Sequence, residues 1–171
     1  MNRCTHIARI ASLMLFAVAA SSTRAGSSAT EAVAKELSEG RVGRLSIGMA
    51  SSQLEQRLKR KLEVQFAGQG RAGASLEQPA ELERLGVRTI LGVRVKGVDI
   101  FFIEEGNNLT VDFVSLGIAC PAAPELQSKL SPESHLSATE IHIAAGPSPS
   151  HKRYIWSVEV KPTCRLWLRE A

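Results

Sequence analysis

The spacing of apolar residues changes along this chain, and each change marks an element. Between Arg44 and Leu62, the residues Leu54, Leu58 and Leu62 recur every fourth position, one stripe on one face of a helix. Ahead of the stripe, Ser52-Gln53-Leu54-Glu55 has the form of a capping box, in which hydroxyl and carboxylate each satisfy a free backbone N–H. At Leu62 the period drops to two: Leu62, Val64 and Phe66 alternate with Glu63 and Gln65, which predicts a short strand. Gly68 to Ser75 is a glycine-rich loop. A further helix is expected from Leu76 to Leu85, capped by Ser75 and stopped by Gly86, with Pro79 tolerated in its first turn.

Period two then dominates. Thr89 to Val95, Val98 to Glu104 and Leu109 to Leu116 read as an antiparallel meander, turning at Lys96-Gly97 and at Gly106-Asn107-Asn108. Val98, Ile100 and Phe102 share one face, as do Leu109, Val111 and Phe113, so the meander offers an apolar side to the helices. Ala119 to Ser137, with Pro121, Pro124 and Pro132, is a long connection with room for a helical turn or two near Glu125 to Leu130. Thr139 to Ala145, Lys152 to Lys161 and Cys164 to Arg169 complete the strands, with a loop tip at Gly146 to Ser150. Tyr154, Trp156, Val158 and Val160 alternate strictly with Ile155, Ser157, Glu159 and Lys161, the mark of a half-buried strand. The expected fold is α+β: two or three helices on an antiparallel sheet of five to six strands, in one domain spanning residues 44–171.

The amino terminus obeys a different rule. Arg3 and Arg9 precede an apolar run from Ile10 to Ala20 and a small, polar stretch to Ala25, the order of a secretory signal. The run is well short of the ~20 residues that cross a bilayer, so residues 1–25 are expected to be cleaved, after Ala25 in preference to Ala20. Cys4 lies ahead of the run and cannot become the acylated first residue of a lipoprotein, so no stable membrane anchor is expected. Residues 26–43 would form a lead-in, disordered over Gly26 to Thr30, and a short helix over Glu31 to Ser38, ended near Gly40. Cleavage removes Arg3, Arg9 and Arg24 and no acid, lowering the net charge from +4 to +1. Nucleic acid and anionic membrane lose their electrostatic case as partners. The basic cluster Arg57, Lys59, Arg60 and Lys61 reads as a solvated helix face in preference to a membrane surface, because the stripe it surrounds is narrow and free of aromatics. A periplasmic or secreted location makes pairing of the two remaining cysteines, Cys120 and Cys164, the economical reading, against two separate buried thiols.

Motifs for chemistry are sparse. Gly68-Gln69-Gly70-Arg71-Ala72-Gly73 matches the dinucleotide fingerprint in letters, but the strands after it are joined by hairpins and not by the crossovers a nucleotide fold requires. His135, His142 and His151 have no metal-ligand spacing, and no nucleophile elbow is present. No catalytic residue, metal or cofactor is expected. Asn108-Leu109-Thr110 has the form of a glycosylation acceptor.

Leu45-Ser46-Ile47-Gly48-Met49, followed by Ser52, Leu54 and Leu58, resembles the opening of small bacterial envelope proteins of two kinds. These are the SmpA/OmlA type outer-membrane assembly lipoproteins and the β-lactamase inhibitor protein family. Gly97 to Phe102 with Leu109-Thr110-Val111 is similar to the helix-plus-meander domains of such proteins, so the likeness is strong over residues 45–58 and loose to 115. It implies a non-catalytic binding protein: an inhibitor, an immunity-type factor or an envelope-assembly accessory, whose partner is another envelope or secreted protein. Arg153, Tyr154, Trp156, Arg165 and Trp167 are the candidate contact residues, because aromatics and arginine dominate interface energies. The competing reading makes the same aromatics core. The alternative function is a small exported hydrolase or ligand carrier with a pocket near Gly68 to Gly73 and the histidines.

Overall fold

A computed structural model describes residues 22–130, 141–147 and 152–171. Helix α1 (Ser22–Ser38) leads into a small hairpin, β1 (Arg41–Val42) and β2 (Leu45–Ser46), and then α2 (Ser51–Leu58). Strands β3 (Gln65–Gly68) and β4 (Arg71–Leu76), helix α3 (Pro79–Arg84), β5 (Thr89–Ile90), β6 (Val93–Glu105) and β7 (Asn108–Ile118) follow. A 3-10 turn (Cys120–Ala122), α4 (Ala123–Leu130), β8 (Ile141–Pro147), β9 (Arg153–Glu159) and β10 (Arg165–Glu170) close the chain. The protein is α+β, as the periodicity requires. Its main sheet is antiparallel, ordered β3-β4-β6-β7-β10-β9-β8, with β5 folded against the start of β6.

Both long strands of the meander are built from β-branched and aromatic residues, and their inward side chains make the centre of the core. Val98, Ile100 and Phe102 of β6 meet Val111, Val114 and Leu116 of β7, and Leu166 and Leu168 of β10 continue the layer. Leu37, Leu54, Leu58, Leu82, Leu85 and Leu126 cover it from the helices, all buried. Two glycines bring the amino-terminal hairpin this close. At Gly40 (φ 73°) a Cβ would stand 2.5 Å from the Tyr154 ring, and at Gly43 (φ 58°) it would stand 2.5 Å from the Leu85 carbonyl oxygen. Cys120 and Cys164 are bonded, 44 residues apart, and join the 3-10 turn after β7 to the residue preceding β10. Closing such a loop in the unfolded chain is worth up to ~4 kcal/mol by chain entropy.

Several local expectations yield to tertiary contacts. Gly26 to Thr30 is helical and not a disordered lead-in, because α1 runs unbroken from Ser22 to Ser38, past the expected cleavage point at Ala25. Once Leu37 and Val33 dock at its carboxyl end, each further turn adds a hydrogen bond without a new nucleation cost. The capping box does not form: Ala50 is the N-cap of α2 and no side chain caps it. The segment before it is pinned to β7 by Gly48 N–H to the Val111 carbonyl (2.7 Å) and Val111 N–H to the Met49 carbonyl (2.9 Å), which starts the helix early. Glu55 turns to the other end, accepting from the Leu62 N–H (3.0 Å) and from Lys61 Nζ (2.9 Å). Helix α2 stops at Leu58 because Lys59 adopts a left-handed backbone (φ 59°), so Leu62 leaves the helical stripe and packs on the core from the connection.

The glycine-rich loop is a β-hairpin instead. Arg71 to Leu76 pairs along β6 from Ile103 to Val98, burying Ala72, Ala74 and Leu76, and this pair of strands is why the sheet exceeds the expected five or six. Leu76 is therefore strand, and α3 begins only at Pro79, with Gln78 as N-cap in place of Ser75. The turn expected at Lys96-Gly97 lies at Leu91-Gly92 (φ 50° and 83°), while Gly97 marks a register shift inside the continuous β6. A second shift, between Phe101 and Phe102, skips Asp112 on β7. Val111 faces the core and Phe113 does not, so the expected shared face of Leu109, Val111 and Phe113 is broken by one residue.

Candidate functional site

The buried side chains of all four helices lie on one side of the sheet, which leaves the other side without a helical layer among the described residues. That outer face carries the site. Phe101 of β6 and Phe113 of β7 are cross-strand partners, and their rings stack at 4.0 Å with planes 13° apart. Trp167 of β10 extends the row, its ring 6.2 Å from Phe113 and tilted by 38°. All three are half-buried. The residues directly opposite Trp167 on both adjoining strands are serines, Ser115 and Ser157.

A polar network fixes the row. Asp99 of β6 accepts from Ser75 Oγ of β4 (2.6 Å) and forms an ion pair with Arg165 of β10. The same guanidinium donates to Ser115 Oγ (2.9 Å) and has its Cζ 6.0 Å from the Trp167 ring centroid. The Trp167 indole N–H donates to Glu159 of β9 (3.1 Å). Five strands, β4, β6, β7, β10 and β9, are thus cross-tied on the outer face. Both partners of the ion pair are about 30% exposed, so its value lies in orientation more than in stability.

Toward the β3 edge the face opens into a groove of about 720 Å³. Gly73 leaves a gap in its floor, the Phe101 and Phe113 rings bound it, and Phe66, 73% exposed, stands at its rim. Glu63, Asp99 and Asp112 supply carboxylates against one guanidinium, Arg71.

Four of the five candidate contact residues divide between the two faces. Tyr154 and Trp156 are buried, 6% and 5% exposed, and belong to the core with Val158. Arg165 and Trp167 stand on the outer face, and Arg153 opens β9 opposite Pro147. Strand register explains the division: Trp156 pairs with Leu168 in the core layer, and Trp167 with its partner Ser157 is one residue out of phase with that pair. Asp99 and Phe101 were not singled out, and their signal was available as the positions alternating with Val98, Ile100 and Phe102; Phe113 had no such signal, because the skipped Asp112 breaks its alternation with Val111. The antiparallel hairpin over Gly68 to Gly73 excludes the nucleotide-fold reading of that motif. His135 and His151 lie outside the described residues, as do Ser148 to Ser150 of the expected loop tip, and His142 falls on β8 at the sheet edge opposite β3. Among the described residues no group of acidic, histidine or cysteine side chains could hold a metal, and no helix is long and apolar enough to cross a membrane.

Among the described residues, Glu55, Arg60 and Lys152 are the groups whose titration departs clearly, Arg60 being raised first by its hydrogen bond to Glu81. The Lys61 ammonium, then the Leu62 N–H, hold the Glu55 carboxyl below its ordinary value. Glu170 raises that of Lys152. Comparison with family models, curated proteins and solved structures finds no match to this chain.

Proposed function

We propose that this chain is an exported, non-catalytic binding protein that engages another envelope or secreted protein through the outer face of its sheet. The observation that carries the reading is the row Phe101, Phe113 and Trp167, half-exposed on a face no described helix covers and held in place by Asp99, Arg165 and Glu159. Rigid aromatics flanked by arginine are the side chains that supply binding energy at protein interfaces at low entropic cost. The disulfide is consistent with an oxidising compartment, and the resemblance over Leu45 to Leu58 supports an envelope role of the inhibitor, immunity or assembly kind. Immobilised protein should recover a specific partner from envelope extract, and Phe113→Ser or Trp167→Ala should abolish recovery without unfolding the domain. Recovery of no partner, or undiminished recovery by both variants, refutes the proposal.

The groove beside the Gly68 to Gly73 hairpin favours a second reading, a carrier of a small ligand. It predicts that a co-purifying small molecule protects Phe101 and Phe113, and mass spectrometry of the native protein would show a bound adduct if it holds.

A further inference from the structure

We infer that the groove between β3 and the Phe101–Phe113 pair receives an arginine or lysine side chain from an extended segment of the protein partner. The inference rests on the binding role proposed above and says what chemistry the partner must present there.

Three features converge on a cationic side chain with an apolar stem. First, the stacked Phe101 and Phe113 rings bound the groove, and Phe66 at the rim adds a third aromatic, so the walls suit a methylene chain and attract a cation. Second, the floor is open at Gly73, where a Cβ would sit 3.8 Å from the Phe101 ring, so a side chain can descend there as far as the backbone. Third, the lining carries more acid than base. Asp99 is engaged by Arg165 and Ser75, whereas Asp112 has no ion-pair or hydrogen-bond partner among the described residues, and Glu63 joins it at the lip with Arg71 the only base in the lining. An acidic segment would meet two carboxylates with one guanidinium to answer them, and a purely apolar one would leave Asp112 facing it unpaired. The bulge at Asp112 matters here, because in a regular strand Asp112 and Phe113 would face opposite sides of the sheet, and the carboxylate and the ring could not line the same groove.

The test uses protein purified from an exporting host and the blocked pentapeptide acetyl-Ala-Arg-Ala-Arg-Ala-amide, titrated while amide shifts are followed by NMR. Its citrulline counterpart, matched in shape but uncharged, serves as comparison. The arginine peptide should perturb Gly73, Phe101, Asp112 and Phe113 and bind about tenfold tighter than the citrulline peptide, from one exposed ion pair plus a cation–ring contact. Asp112→Asn should bring the two peptides close together in affinity, and rising salt should do the same. Equal affinities in the unmodified protein, or shifts that map away from the groove, would overturn the inference. Should a partner be captured through Phe113 and Trp167 while the two peptides bind alike, the cation specificity fails and the binding role stands. Should the arginine peptide bind selectively while no protein partner is ever captured, the binding role fails and the groove remains.

Discussion

Truncating the two tryptophans one at a time separates the core of this protein from its binding face. Trp156 is 5% exposed, pairs with Leu168 across β9 and β10, and lies in the same buried cluster as Val158 and Leu166. Replacing it by alanine removes nearly a whole indole from the interior and should cost about 3–5 kcal/mol, as large-to-small substitutions of buried aromatics do. Trp167 loses less. Its alanine variant forfeits one hydrogen bond to Glu159, worth about 1 kcal/mol. It also forfeits the half-exposed contacts to Arg165 and Phe113, worth about 0.5–1 kcal/mol together. In a domain of this size each kcal/mol moves the melting midpoint by about 2–4 °C, so Trp156→Ala should melt roughly 6–20 °C lower and Trp167→Ala roughly 3–8 °C lower. Urea titration followed by far-ultraviolet circular dichroism gives both free energies in the same buffer. If Trp167→Ala destabilised as much as Trp156→Ala, the outer face would be covered in the folded protein and could not be the docking surface. If Trp156→Ala were nearly neutral, the assignment of inward and outward faces on β9 would be reversed.

Other perturbations report on the frame around that face. Gly43 and Gly48 both have positive φ, but a Cβ at Gly43 would strike the Leu85 carbonyl whereas one at Gly48 meets nothing within 4 Å. Gly48→Ala should therefore cost only the left-handed backbone term of about 1 kcal/mol, and Gly43→Ala clearly more, in parallel denaturant titrations. Equal losses would show that the hairpin does not press against the end of α3. Glu55 has a folded-state titration point below its unfolded one, so its stabilisation is present above the unfolded value and disappears as pH falls through the folded value. Glu55→Gln should thus be less stable than the unmodified protein at neutral pH, with the gap closing below roughly pH 4. A gap that persists in acid would show that the carboxylate's charge is not what ties α2 to Leu62.

Much of this architecture follows from residue order. The strict alternation of Val98, Ile100 and Phe102, and of Tyr154, Trp156, Val158 and Val160, can be satisfied only by strands with one covered side, and helical spacing places Leu54 and Leu58 together wherever α2 begins. The pair Cys120 and Cys164, read as the cysteines of an exported chain, likewise points to one bond, which the structure contains. Local sequence could not supply the elements whose stability is borrowed from neighbours. Arg71-Ala72-Gly73-Ala74-Ser75-Leu76 has weak strand propensity and becomes β4 because β6 offers it a ladder and a buried face. The failed capping box at Ser52 has the same cause, since bonds from Met49 and Gly48 to Val111 decide where α2 starts.

The sequence alone determined the antiparallel α+β character and its two structural periods, because these depend on alternation, and made the cross-link the economical reading. Tertiary structure decided which side of the sheet the helices cover, and a single skipped residue at Asp112 decided that Phe113 joins Phe101 on the side left open. Alternation says which residues share a face and is silent on what lies against it. Only packing fixes that, and the candidate binding surface with it.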